Sequence, residues 1–247
     1  MKYMGSKARH GMEILRAISD DCGSLYQKVW IEPFVGGANM MQHLTRFDVK
    51  RKVGIDINLH VINMFIALQG GWKPLTEVNE HFYQELKKNS DVWSDFETSA
   101  LTGFVGIGCS YSGKWFGGYA RGNDNKGVPR NYARESADNV LTQIKSLKDV
   151  EFYHGNYKDL FNVICEPNEE VVIYCDPPYA NTTKYKNSFD HTEFWKWCDE
   201  MVQKGFRIYV SEYNAPEGWR CIWSKEVNNS LTKETGSKQG VEKLFTK

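Results

Sequence analysis

Residues 171–175, Val-Val-Ile-Tyr-Cys, run straight into Asp176-Pro177-Pro178-Tyr179, and no other junction constrains the chain as much. The run has the length and the β-branched, aromatic content of a buried central strand. Proline has no N–H to give a sheet ladder, so the strand stops where the prolines begin. Asp176 therefore stands at the carboxyl end of a central strand. In an open parallel α/β sheet, that end faces the crevice in which ligands bind.

Two consecutive prolines make a stiff corner that presents the Asp176 carboxylate and the Pro177 carbonyl together. Both are acceptors. The exocyclic amino group of a nucleobase brings two N–H donors on a flat ring, which suits adjacent acceptors with an aromatic face, Tyr179, against the ring. Acceptors on those hydrogens favour the pyramidal amine and free its lone pair for attack on a methyl donor, which is positional and electrostatic catalysis. The plain alternative, a turn that merely ends a strand, stays open on these four residues alone.

The rest of the composition sets limits. A chain of 247 residues with 41% hydrophobic and 25% charged content fits one soluble domain with an elaboration. No apolar run reaches bilayer-spanning length and the first residues lack the apolar core of a signal peptide, so a cytoplasmic protein with no membrane partner is expected. Six cysteines, Cys22, Cys109, Cys165, Cys175, Cys198 and Cys221, lie without paired spacing, which points to reduced thiols and no metal site. The 31 basic and 31 acidic residues cancel, so any nucleic-acid surface must be local.

From the start, Lys2-Tyr3-Met4-Gly5-Ser6-Lys7 enters a helical pattern through Met12, Ile14, Leu15 and Ile18 that ends near Cys22-Gly23. Glycine, serine and lysine at a helix entrance can bind an anion, but taken alone they read first as a plain cap. Residues 28–39 read as strand, Gly36-Gly37 turn and a helix through Met41 and Leu44. Such a turn lets a ligand approach the backbone. It is not the dinucleotide G-x-G-x-x-G fingerprint. Residues 52–58 form a second strand ending in Asp56, at the separation where Rossmann-type sheets hold ribose hydroxyls.

Together, the opening KYMGSK, the EPFVGG turn, GIDIN and DPPY resemble the DNA adenine-N6 methyltransferases of the Dam type, the D12 class, over nearly the whole chain. The resemblance implies an α/β, Rossmann-like S-adenosylmethionine-dependent methyltransferase fold. Its sheet would be mixed and mostly parallel, with the last strand antiparallel. Residues 1–56 and 135–247 would form the catalytic part and residues 57–134 an inserted helical and hairpin target-recognition part. It implies that S-adenosyl-L-methionine is contacted by Tyr3 and Lys7, by Glu32, Phe34 and Gly36 at the turn, by Asp56 at the ribose and by Asp176 near the methionine end. Asn156 and Tyr157 would border the cofactor adenine, and Lys2 would reach a base of the target site. Tyr3 stands where the family often has tryptophan, and Gly5-Ser6-Lys7 where it has Gly-Gly-Lys.

Residues 57–100 show two helical apolar sets, one through Val61, Met64 and Phe65 and one through Phe82, Leu86, Val92, Trp93 and Phe96. Residues 103–121 are rich in glycine and aromatics and read as a flexible basic loop with aromatic wedges, with a Ser-Gly turn that closes a hairpin between Tyr111 and Lys114. Tyr111, Ser112, Lys114, Arg121 and Arg130 are the candidates for following phosphates and filling the space of an extruded base. The alternative is a solvated loop whose aromatics pack inward. The hairpin looks shortened relative to Dam-type enzymes, so no target sequence is inherited.

Further on, residues 131–147 are expected as a helix, 150–157 as a strand and its turn, 180–188 as a segment able to move over a bound base, and 190–201 as a helix opened by a capping box. Strands follow at 206–211, 219–223 and 240–245, with residues 225–238 as a polar loop. His191 is not needed as a general base, because the amino proton becomes acidic on methylation and can leave through Asp176 or solvent. The resulting expectation is a monomer or weak dimer that binds double-stranded DNA, flips an adenine and methylates N6 through Asp176, the Pro177 carbonyl and Tyr179. N4-cytosine methylation, RNA or protein N-methylation, and a non-catalytic DNA-binding module are the rivals.

Overall fold

The computed structural model describes residues 1–92, 95–179, 189–228 and 239–247. Seven strands form one sheet: β1 (Val29–Glu32), β2 (Arg51–Asp56), β3 (Val150–His154), β4 (Val171–Cys175), β5 (Arg207–Glu212), β6 (Arg220–Asn228) and β7 (Gln239–Thr246), in the order β3-β2-β1-β4-β5-β7-β6. The first five are parallel, and β7 enters antiparallel between β5 and β6. This is the mixed, mostly parallel α/β sheet expected, antiparallel strand included. The direction of strand progression reverses between β1 and β4, which places the ligand crevice at their carboxyl ends.

Side-chain alternation splits the core cleanly. Trp30, Val172, Tyr174 and Tyr209 belong to one cluster, while Val29, Ile31, Val171, Ile173, Cys175 and Val210 belong to the other. Successive strand residues face opposite sides, so a strand buried on both faces reads as an unbroken apolar run, as β4 does. The first cluster is closed by α1 (Gly11–Cys22), α2 (Leu59–Gln69) and α5 (Tyr132–Gln143), with Phe65 of α2 stacked on Phe152 at 4.8 Å. The second is closed by α6 (His191–Gln203) through Phe194, Trp197, Cys198 and Met201. Asp190 caps α6 by accepting from the Glu193 amide, as its capping-box sequence predicts.

Between β2 and β3, α2 is followed by α3 (Glu80–Asn89) and α4 (Phe96–Gly108). Part of the stretch read as a flexible loop is therefore helix. Asp95 caps α4 by accepting from the Thr98 amide, and the glycines of α4 serve close packing. A Cβ on Gly103 would lie 2.1 Å from the His60 carbonyl oxygen of α2, so the two helices meet backbone to backbone. Trp115 stacks on His60 at 5.7 Å and Phe116 is buried, so these aromatics pack inward while Tyr111 stays 64% exposed.

Three further expectations are corrected. The helix expected after the Gly-Gly turn is a six-residue 3-10 segment, Met41–Arg46, because Ala38 at φ 51° breaks the helical path before it. Val92 lies outside any helix and is 77% exposed, leaving the second apolar set shorter than read. Residues 225–228, read as loop, extend β6. The 180–188 segment, Trp93 and most of the 225–238 stretch lie outside the described residues.

Candidate active site

Register alone sets the frame of the site. Glu32 at the end of β1 is level with Gly54 of β2, and Ile31 is level with Ile173 of β4. Asp56 and Asp176 therefore both stand two positions beyond Glu32, one on each side of β1. The turn after β1 fills the gap between them. Its Val35 amide donates to the Ile55 carbonyl at 2.9 Å, and its Gly36 amide donates to Asp56 Oδ2 at 2.8 Å. Asp56 Oδ1 accepts from the Asn58 amide at 2.9 Å. Burial pushes the Asp56 carboxyl above its usual range, and these two amides pull it back.

Tyr3 lies against this turn. A Cβ on Gly36 would come within 2.8 Å of Tyr3 Cε1, and one on Gly37 within 2.7 Å of Tyr3 Cβ. Gly36 also sits at φ +48°, where a side chain is strained. Gln143 of α5 fixes the far side by donating to the Gly37 and Ala38 carbonyls at 2.9 and 3.2 Å. Beneath the turn, Phe34 stacks on Tyr157 at 5.4 Å, and both rings meet Phe194 edge-on. Tyr157 is thus a buried packing partner of the turn. Asn156 caps the short 3-10 turn that follows, accepting from Lys158 while its own amide donates to Asp159. Ile57, passed over in the sequence, is 66% exposed directly after Asp56; the signal for it was an isoleucine where a strand has already ended.

On the other side of β1, Lys7 reaches Asp176. The ammonium lies 3.1 Å from Asp176 Oδ1 and 3.8 Å from Glu242 Oε1 of β7, and donates to the Gly5 carbonyl at 3.0 Å. It also stands 4.5 Å from the centroid of the Tyr179 ring. Burial pushes the Asp176 carboxyl up to about 6; Lys7 opposes that shift by charge and hydrogen bond, Glu242 adds to it, and Tyr179 weakly opposes it. Tyr174 donates to or accepts from Ser211 at 2.8 Å, which fixes the strand below Asp176. Tyr179 meets Tyr213 edge-on at 4.7 Å. Glu212, buried at the end of β5, accepts from the Tyr213 amide at 2.6 Å and lies 3.8 Å from His191 Nδ1. Lys7 is expected from the opening motif and Glu212 from a strand that ends at the same crevice; what carries no local sequence signal is their meeting with Glu242 around Asp176 and Tyr179, because the three arrive from the chain's two ends and from β5.

Glu32 sits deeper, 3% exposed, and accepts from Trp30 Nε1 at 2.8 Å. Burial pushes its carboxyl up to about 8, Trp30 pulls it down, and the neighbouring Asp176 pushes it up. The folded chain thus keeps a proton on Glu32 that the unfolded chain has released. That stabilisation is complete below the ordinary carboxylate value and drains away as pH rises toward about 8. Glu32→Gln, which keeps an acceptor for Trp30, is expected to melt above the wild type at pH 8 and to show a flatter dependence from the ordinary carboxylate range up to about pH 8. Thermal unfolding across that range checks it; parallel curves for the two proteins would mean that Glu32 is ionised in the fold.

The recognition candidates gather in part. Lys2 and Arg130 both face the Tyr132 ring, at 5.4 and 4.6 Å from its centroid. The 3-10 turn Tyr111–Gly113, with Ser112 at φ 54°, touches the opening segment through the Met4 amide, which donates to the Gly113 carbonyl at 3.1 Å. Lys2, Tyr111, Ser112 and Arg130 are thereby linked to one region. Arg130 is also paired with Glu135, donating from Nε at 2.8 Å. Arg121 is turned to Glu80 of α3, while Lys114 packs its stem over Gly117. Residues 122–130 form a hairpin with an Asn123–Pro129 bridge, its tip shaped by Asp124, which accepts from the Lys126 and Val128 amides.

Residues 3–102 match the family model for the D12 class N6 adenine-specific DNA methyltransferases. The match spans Tyr3, Lys7, the Gly36 turn and Asp56, and it supports S-adenosylmethionine-dependent methyl transfer. Asp176 and its prolines lie beyond the matched segment. No curated protein matches the chain in sequence. Among solved structures, the chain is similar to the rRNA methyltransferase AviRa from Streptomyces viridochromogenes, at 9% identity and a TM-score of 0.45 over 97% of this chain and 83% of that one. An rRNA methylase from Streptococcus thermophilus gives 10% identity and a TM-score of 0.39, over 94% of this chain and 96% of that one. Precorrin 8w decarboxylase from Methanobacterium thermoautotrophicum gives 10% and 0.39, over 96% and 90%. Likenesses this distant assign no substrate.

Proposed function

We propose that this protein transfers a methyl group from S-adenosylmethionine to N6 of an adenine flipped out of duplex DNA. The observation that carries the reading is the pairing across β1 of two acids, Asp56 beside the Gly36 turn and Asp176 at the Pro-Pro corner, within a chain whose first part matches the adenine-specific family. The residues present suit the cofactor. Gly36 and Gly37 lack the Cβ atoms that would collide with Tyr3, so the turn stays close against that ring with its Gly36 amide on Asp56, and the exposed Ile57 offers an apolar surface beside Asp56. S-adenosylmethionine supplies an electrophilic methyl carried on a sulfonium.

The chain's own residues do the rest. Asp176 and the Pro177 carbonyl accept from the two amino hydrogens and turn the N6 lone pair toward the methyl carbon. Tyr179 offers a ring face to the base. With the cofactor bound, the N6 lone pair would take the methyl group from the sulfonium, which is left as a thioether, and Asp176 or solvent would take the proton that N6 then sheds. For duplex DNA, support comes from the exposed residues 121–129 of the hairpin and from Lys2 and Arg130 about Tyr132. Their ion-pair partners Glu80 and Glu135 lie at the surface, where such pairs are weak and exchange readily for phosphates.

The test is incubation with unmethylated genomic DNA and labelled S-adenosylmethionine, then nucleoside mass spectrometry and sequencing of modified positions. N6-methyladenine is the expected product. Methylcytosine would move the base assignment, and cofactor binding without DNA methylation would move the substrate to RNA or protein. Gly36→Ala is expected to weaken cofactor binding by about tenfold or more, since the added methyl group strains the turn and pushes Tyr3 aside. Calorimetry with the cofactor checks this, and wild-type affinity would remove the turn from the site.

A further inference from the structure

Lys7 is buried, 3% exposed, on a carboxylate that the reading above reserves for an amine. A lysine ammonium has three N–H donors and no acceptor. The target amino group also brings only donors, and it too must reach Asp176 while its ring lies along Tyr179. Lys7 already holds both places, at 3.1 Å from Asp176 Oδ1 and 4.5 Å from the Tyr179 centroid. The ammonium thus imitates the amine that the site would accept.

A second observation shows where it can go. Glu242 Oε1 is 3.8 Å from the same ammonium, and Oε2 of that carboxylate is buried with no hydrogen-bond partner among the described residues. A buried acceptor left unmatched is costly, so it is a standing place for a donor. We propose, resting on the adenine reading, that Lys7 is a built-in occupant of the amine subsite, which yields Asp176 to the entering base by moving onto Glu242.

The opening segment gives this exchange a trigger. Residues 2–7 touch three regions in succession: Lys2 faces Tyr132, Met4 is hydrogen-bonded to Gly113 of the recognition turn, and Tyr3 lies on the Gly36 turn. Gly5 and Ser6, just before Lys7, are exposed. Movement of the recognition turn on DNA is passed through residues 4–7 to the ammonium. Until then Lys7 occupies Asp176 Oδ1, and only a base driven in by duplex contacts displaces the resident cation.

The exchange is tested by steady-state methylation of unmethylated genomic DNA with Lys7→Met, Glu242→Gln and the double variant, at about pH 8.5 so that Asp176 is ionised throughout. Cofactor affinity, measured by calorimetry, is expected to stay within twofold of wild type in Glu242→Gln, and the KM for DNA is read at saturating cofactor in all three. The KM for DNA is expected to fall at least fivefold in Lys7→Met and to rise at least fivefold in Glu242→Gln, where the receiving carboxylate is gone. The double variant should follow Lys7→Met, because Glu242 acts only through Lys7. A merely structural role would move both single variants in the same direction. An unchanged or raised KM in Lys7→Met, or an unchanged or lowered KM in Glu242→Gln, overturns the exchange alone. Absence of DNA methylation by the wild type overturns the adenine reading beneath it.

Discussion

Asp176→Ala is expected to lower methyl transfer by about 10³-fold while cofactor affinity stays within a few-fold. In the proposed reaction the carboxylate is one of two acceptors that hold the amino group and orient its lone pair, and no described neighbour can replace it: Glu242 belongs to another strand, and Glu32 keeps its proton to about pH 8. The substitution also strips Lys7 of its nearest partner, so part of any loss could reflect a disturbed pocket. Asp176→Asn separates the two effects. It keeps the volume and one acceptor for Lys7, yet turns an N–H donor toward the amine, and it is expected to be nearly as inactive. Single-turnover transfer rates with calorimetric cofactor affinities are the measurement. Turnover near wild type in Asp176→Asn would remove the carboxylate from the chemistry.

The second large effect is on the acid side of the pH profile. Asp176 works as an acceptor only when ionised, and its carboxyl is pushed up to about 6 by burial, against the pull of Lys7 and with Glu242 pushing the same way. Tyr179 and Tyr174 also face it, and Glu32 lies close by. A raised acid loses its charge as pH falls through that value. The kcat/KM for DNA should therefore drop about tenfold per pH unit below about 6 and level off above it. Lys7→Met removes the group that favours the charged form, so the acid limb should move to higher pH. A profile flat down to about pH 4.5, or a limb unmoved by Lys7→Met, would show that Asp176 titration does not govern the rate.

The sequence made the frame legible because the frame is local. An apolar run halted by two prolines, a Gly-Gly turn and an acid ending the following strand each declare themselves within a few residues, and their register follows from parallel pairing. The meeting of Lys7 with Glu242 and Glu212 did not declare itself in the same way. They meet the site only after β5 and β7 have joined the sheet, and no period in the sequence records such a meeting. The glycines of α4 misled for a different reason. Glycine signals either a free backbone or a close one, and only the His60 carbonyl against Gly103 distinguishes them. The helix expected after the turn failed on a single residue, Ala38, whose left-handed backbone carries no mark in its side chain.

The placement of Asp56 and Asp176 at equal height on either side of β1 has a metric consequence. Adjacent strands lie about 4.8 Å apart, so the backbones of the two acids are separated by two such spacings, roughly 9.6 Å. The sheet is a ruler. Its graduation is set by main-chain hydrogen bonds, which substitutions on the helices or in the 122–130 hairpin leave untouched. A cofactor gripped at one mark delivers its reactive carbon to the other only if its own length agrees, so homologues of S-adenosylmethionine lengthened by one methylene should bind at the Asp56 end and miss the amine.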